Sequence, residues 1–271
     1  AYRFLLALIV FEILRLTKVI KIRFEKRFIL PVFLVSFFQP ILYFIFEAFG
    51  LARIASSEAG MMIALIPIFV IILSTIILGE KPTKYQVGFI ILSVSGIVLI
   101  QLFKSNMSIE GSFFGFVLLF FAVISASLFN IASRSASRKL SPYELTYFMV
   151  MSGAVVFNLI YIVQLAVAKD LGHYFTYLGN IDVIFSILYL GIVASIIGFF
   201  LVNYTLGILP AHVSSVYANL ATVVSVIAGF VFLKETIEWY HIVGGAMIIL
   251  GVYGTARVNM LGAKRKAKGH D

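Results

Sequence analysis

The stretch VIFSILYLGIVASIIGFFLVNYTLGILPAHVSSVYANLATVVSVIAGFVFL, residues 183–233, contains no Asp, Glu, Lys or Arg. As a single helix it would extend about 77 Å at ~1.5 Å per residue, whereas a bilayer core is ~30 Å thick. It therefore predicts two crossings, folded back at Leu209-Pro210-Ala211-His212, where the proline disfavours continued helix. Outward from this hairpin, further charge-free apolar runs lie at 28–46, 61–78, 85–103, 111–133, 145–168 and 239–256. Together they predict eight full spans joined by short loops. Continuous runs of this length exclude a β-barrel, whose strands alternate over ~10 residues. The expected fold class is all-α: a polytopic helical membrane protein with about nine helices in this chain.

Composition supports the same reading. Of 271 residues, 62% are hydrophobic and 12% charged, and the mean hydropathy is +1.08. One water-facing domain cannot bury that much apolar surface, so a soluble enzyme and a disordered chain are excluded. The absence of Cys excludes a disulfide scaffold. The net charge of +9 suggests a nucleic-acid partner only until the charges are placed. Nearly all lie between apolar runs, which makes them topology signals, and no nucleic-acid partner is expected.

Residues 1–14 (AYRFLLALIVFEIL) are apolar, too short to cross, carry Arg3 and Glu12, and lack an initiating Met. They read as the second part of a transmembrane helix whose beginning is absent. Numbering the loops alternately places sixteen basic residues on one side, among them Arg15, Lys18, Lys21, Arg23, Lys26 and Arg27, and five on the other. The positive-inside rule then predicts a cytoplasmic C-terminus in a cell (inner or plasma) membrane.

An internal repeat is visible. The segment MMIALIPIFVIILSTIILGEKPTKYQVGFIILSVSGIVLI and the segment VYANLATVVSVIAGFVFLKETIEWYHIVGGAMIILGVYGTA share a plan: an apolar span ending in an acidic residue, a short polar turn, then a glycine-bearing span. Glu80 matches Glu235 and Gly96 matches Gly251, each at a separation of 155 residues, and the same offset pairs Leu51 with Leu206 and Leu65 with Leu220. The copies are five spans apart, an odd number, so they run in opposite orientations, the arrangement transporters use for alternating access. The expected organisation is a first repeat at 1–105, short of its first helix, a second at 111–257, and a basic cytoplasmic tail at 258–271. Completing the symmetry predicts a natural chain of ten helices.

The longer runs beginning ASSEAGMMIALIP and GFFLVNYTLGILPAH resemble the EamA-type family of the drug/metabolite transporter superfamily. That family shows a "P-(apolar)n-GE" helix end followed by Gly-(apolar)6-Gly in each of two five-helix repeats. The present chain departs from the pattern: Thr222 stands opposite Pro67, Lys234 opposite Gly79, and Gly88 sits one position early relative to Gly244. The resemblance implies an inner-membrane carrier of small metabolites such as amino acids, with ten helices and both termini cytoplasmic.

Polar groups inside a membrane are costly and tend to face a cavity. Ser36, Gln39, Tyr43 and Glu47 recur at helical spacing and share one face. They suggest a substrate-lining stripe in which Glu47 binds an ammonium group or relays a proton. The alternative for Glu47 is an anchoring role at the outer interface. Asn130, Asn203, Tyr217 and Asn219 complete the candidate substrate pathway; each amide could equally bond a neighbouring helix. Arg3 can meet an anionic group or snorkel to the interface. Glu80 and Glu235 read as structural ties at helix ends, and Gly88, Gly96, Gly244, Gly245, Gly251 and Gly254 as sites of close helix approach.

The four histidines are scattered, and the sequence has neither GxxxxGK[ST] nor HExxH, so no catalytic residue, metal ligand or cofactor is expected. The function read from the sequence is a secondary, non-ATP transporter of small, amino-acid-like polar solutes. It would work by alternating access around a midplane cavity between the repeats. The alternatives are a membrane-embedded enzyme acting on lipid and a non-transporting receptor or scaffold. Expected partners are the small-molecule substrate, membrane lipid and a coupling proton or ion, with the chain a monomer or a homodimer.

Overall fold

Helix boundaries follow local chemistry. The Glu144 carboxylate accepts from the Ser141 N–H at 2.8 Å and from the Ser141 hydroxyl at 2.7 Å, with Pro142 in the first helical turn. Such a start satisfies donors that the helix itself leaves open. Likewise the Ala55 N–H donates to Glu58 at 3.0 Å where another helix begins. At the opposite ends, Gly79 (φ 68°) and Lys234 (φ 55°) both take the left-handed conformation that terminates a helix. They are counterparts at the 155-residue offset, so the departure from glycine changed the residue and kept the backbone.

The computed structural model describes residues 1–23, 25–104, 112–234 and 236–268. Nine long helices and a 3-10 helix (Leu171–Gly179) form among them, and no strand: α1 (Tyr2–Leu16), α2 (Lys26–Leu51), α3 (Glu58–Leu78), α4 (Lys84–Phe103), α5 (Phe113–Ala136), α6 (Pro142–Val167), α7 (Ile181–Ile208), α8 (Ala211–Phe232) and α9 (Trp239–Gly262). All but α1 are long and apolar enough to cross a membrane. Pro210 stands at the α7–α8 hairpin. The last helix runs on to Lys268, so most of the expected basic tail is a helical extension. Glu235 lies outside the described residues.

Contacts divide the chain into two units, Ala1–Leu42 with Ala132–Ile208, and Tyr43–Ile131 with Leu209–Asp271. Each unit draws helices from both sequence copies.

In the first unit α1 packs on α6 and α7 through aromatic stacking. The Phe4 ring lies 5.4 Å from that of Phe157 and 6.4 Å from that of Phe199, nearly parallel to both. Gly153 makes room for it, since a Cβ there would sit 2.7 Å from the Phe4 ring. Polar ties surround this stack: Tyr147 donates to Glu12 at 2.6 Å, Arg15 pairs with the same carboxylate, and Arg3 donates to Ser195 at 3.0 Å. Arg3 is thus engaged with α7. At the basic end, Arg23 clamps the buried Glu144 at 2.7 and 2.9 Å and also donates to the Lys139 carbonyl. The carboxylate holds the Arg23 guanidinium above its ordinary range.

The second unit is organised by α4 and α9. Their contacts descend in α9 as they ascend in α4, so the helices are antiparallel. Gly96 meets Gly244, and Gly251 meets Phe89 and Ser93. Offset by 155 residues, the first contact becomes the second. The two helices therefore exchange equivalent contacts about a local two-fold axis. Gly254 also lies against Phe89, whereas Gly88 and Gly245 face open space and take no part in this close approach. Around the seam lies an apolar cluster of Ala64, Ile90, Ile97, Ile100, Val216, Ile248 and Val252. Glu80 accepts from the Ala211 N–H at 2.8 Å, tying the end of α3 to the start of α8.

Candidate functional site

Four helices lose regular geometry, in counterpart pairs. In α2 the segment Phe37–Leu42 forms a wide π-type turn in which Gln39 is extended (φ −147°, ψ 123°) before a cis bond to Pro40. In α7 the wide turn is Tyr189–Gly198. Positions 192–197, which match 37–42 at the repeat offset, fall inside it. The helix α3 is interrupted at Ala64 and Leu65, where the Leu65 N–H reaches back three residues to Met62 at 3.0 Å. Its counterpart α8 is interrupted at Ala218 and Asn219, where the Asn219 N–H reaches Val216 at 3.1 Å.

Each of the latter breaks comes after about two helical turns, or roughly 12 Å, close to the middle of a ~30 Å hydrocarbon core. Ala64, Leu65, Ala218 and Asn219 all keep right-handed helical φ/ψ, so each helix tightens locally to three-residue bonding and frees a few backbone carbonyls, which membranes tolerate only where protein or water meets them. The two breaks are neighbours within the second unit. Ala64 and Val216 share one buried cluster, and Ala211–Tyr217 packs against Ile66–Leu73.

The sequence-predicted residues divide by what they touch. Tyr43 donates to Glu47 at 2.7 Å, so this part of the polar stripe is a real pair, on the second unit's share of α2. Gln39 lies in the first unit's share, at the distorted turn. Asn219, at the α8 break, donates to Ser93 of α4 at 2.9 Å, and Tyr217 beside it is 38% exposed. Asn203 is fully buried: it accepts from Ser133 at 2.7 Å and donates to Thr146 at 3.0 Å and towards the Met149 sulfur at 3.4 Å. Those bonds join α5, α6 and α7. Asn130 donates back along its own helix to the Ala126 carbonyl at 2.8 Å. Sequence reasoning missed Ser93 and both helix breaks. The signal for one break was Pro67, two residues past it, whose missing N–H cannot bond the preceding turn.

Eight apolar spans, with helix irregularities at nearly corresponding positions of the two copies, define a multi-pass helical membrane protein of the kind transporters use. The family profile described as the EamA-like transporter family matches residues 1–102 and again 113–257. The chain belongs to that family. It is 35% identical over 255 residues to "Uncharacterized transporter YcxC" of Bacillus subtilis (strain 168), covering 94% of this chain and 82% of that one. It is 30% identical to an "Uncharacterized transporter" of Archaeoglobus fulgidus, covering 83% of this chain and 77% of the relative. It is 26% identical to a "Probable terminal-alkyne amino-acid exporter" of Streptantibioticus cattleyicolor, covering 80% and 69%. A solved crystal structure with 15% sequence identity has the same fold, with a TM-score of 0.72 over 94% of this chain and 86% of the other.

Proposed function

We propose that this transporter is a secondary carrier of small, polar, amino-acid-like solutes working by alternating access. One observation carries the reading: α3 and α8, counterparts in opposite orientation, lose regular four-residue bonding within one residue of equivalent places near the membrane midplane. Tightened turns at corresponding places leave backbone carbonyls for a zwitterionic solute, and two antiparallel copies can exchange roles as the protein opens to either side. The amino-acid exporter among the relatives lends weight to the solute class.

In this reading Tyr217 and Asn219 contact solute beside the α8 break, and the Tyr43–Glu47 pair supplies a hydroxyl and a titratable carboxylate for an ammonium group or a coupled proton. Gln39 contributes an amide at the distorted turn of α2. Asn203 holds three helices together, and Asn130 bonds within its own. The protein resides in the cell membrane with its C-terminus cytoplasmic, following the distribution of Lys and Arg.

The test is counterflow of radiolabelled amino acids in proteoliposomes. Accelerated exchange with a defined subset of amino acids is expected, and its reduction in Asn219→Ala. Absence of exchange across a broad metabolite panel, with correctly folded protein, would sink the solute assignment.

A further inference from the structure

The first unit holds a groove that this reading of transport does not use. It lies between the start of α2 and the first half of α6, with a volume of about 400 Å³. Its walls are apolar, with Phe28, Val32 and Phe33 on one side and Phe148 and Met151 on the other. Its mouth, at the basic end of the helices, carries Arg23, Glu25 and Lys26. The charges there are unequally committed. Arg23 is spent on Glu144, and Arg27 pairs with Glu25 at 2.7 Å. Lys26 is exposed and makes no ion pair among the described residues. The Arg23 clamp, reinforced by its bond to the Lys139 carbonyl, anchors the chain to α6 three residues before Lys26.

We propose that this groove seats an anionic phospholipid of the leaflet facing the basic loops, its phosphate on Lys26 and one acyl chain along Phe33, Phe148 and Met151. Charge complementarity selects the occupant. The mouth offers a cation whose local partners are already taken, and the walls are apolar apart from Ser152, so a ligand needs a negative head and a long apolar tail. A neutral lipid satisfies the walls alone, and a soluble phosphate satisfies the mouth alone. Attraction of this kind at a membrane surface is worth about a fivefold change in affinity per basic residue.

The experiment uses the full chain, purified in detergent and delipidated. It is titrated in turn with dioleoylphosphatidylglycerol, dioleoylphosphatidylcholine and glycerol 3-phosphate. Bound lipid is counted by native mass spectrometry and thermal stability is followed in parallel. The expected result is preferential retention of one phosphatidylglycerol, weakened about fivefold in Lys26→Gln. That variant changes an exposed side chain and leaves the fold intact. Met151→Trp, which fills the groove, should reduce retention with Lys26 unchanged, while Lys84→Gln, a basic residue outside the groove, should leave it as it was. Equal retention of the two lipids, an equal loss in Lys84→Gln, or full retention in Lys26→Gln would overturn the proposal. Binding of glycerol 3-phosphate as tight as that of the lipid would overturn the lipid as occupant.

Discussion

Gly96 and Gly244 meet backbone to backbone: a Cβ on Gly96 would stand 2.5 Å from the Gly244 carbonyl oxygen, and one on Gly244 would stand 2.7 Å from that of Gly96. Neither obstacle is a side chain that can swing away. Without a hydrophobic force to drive helices together inside lipid, such close approach is the main source of helix–helix attraction. Gly96→Ala should therefore cost about 1–3 kcal/mol, the usual range for overpacking. Gly88→Ala, with nothing within 4 Å of its added Cβ, is the matched control and should be close to neutral. Thermal unfolding in detergent separates the two, and equal melting temperatures for both variants would contradict the packing described.

The same offset that relates these contacts also relates Gly79 to Lys234, and here the chemistry differs. Lysine in a left-handed backbone carries a Cβ clash that glycine avoids. Lys234→Gly should raise stability by up to about 1 kcal/mol, partly offset by the greater freedom of glycine in the unfolded chain. Gly79→Ala should lower it. A Lys234→Gly variant that melts below the parent would mean that the side chain makes a compensating contact.

Much of the fold was legible because lipid allows so few solutions. A 51-residue charge-free run, 183–233, with one proline near its middle can only be a helical hairpin, and the chain turns at Pro210. The inversion of the copies was likewise readable from an odd number of spans. The breaks at 64–65 and 218–219 were not, because hydropathy reports side chains and a break is a property of backbone bonds. Ala64, Leu65 and Ala218 look like any other apolar helix residues. The site residues divided for a related reason. An intramembrane amide announces that it needs partners, but whether those are solute or neighbouring helices depends on the tertiary fold. Asn203 found Ser133 and Thr146 on other helices, 70 and 57 residues away in sequence. Tyr43 and Glu47 found each other four residues apart, within reach of sequence spacing.

Asn203 should accordingly act on stability. Asn203→Leu removes the acceptor of Ser133 and the donor to Thr146 in a fully buried position. Polar contacts inside membranes average about 0.6 kcal/mol, but a buried hub of this kind belongs nearer the 1–3 kcal/mol cost of unsatisfied groups. Folded yield and melting temperature should fall while the KM of the surviving protein stays as in the parent. A changed KM with normal stability would move Asn203 into the solute path.

Arg23 and Glu144 form a pair whose two halves are unequal, with the carboxylate buried and the guanidinium largely exposed. Losing the arginine side chain leaves a buried negative charge with only Ser141 and the residue-23 backbone N–H as donors, whereas losing the carboxylate leaves a half-exposed cation. Arg23→Gln should thus lower the melting temperature, and adding Glu144→Gln should restore part of the loss. If the double variant melts below Arg23→Gln alone, the clamp is not what Arg23 contributes.

Transport itself is best tested at Tyr43 and Glu47. Their hydrogen bond places a hydroxyl beside a carboxylate on one helix face, so the two substitutions predict different outcomes for the two roles open to Glu47. If Glu47 carries a proton or binds an ammonium group, Glu47→Gln should slow counterflow at least about tenfold, equivalent to ~1.4 kcal/mol, and flatten its dependence on pH. Tyr43→Phe, which removes the donor and keeps the carboxylate, should leave the maximal rate nearly intact and the pH dependence in place. An interfacial anchor predicts another pattern: both variants alter expression or stability, and the pH profile of the remaining activity overlays that of the parent. Measuring counterflow across pH for the three proteins at matched incorporation decides between the roles, and an unchanged profile in Glu47→Gln rejects the carboxylate as a coupling group.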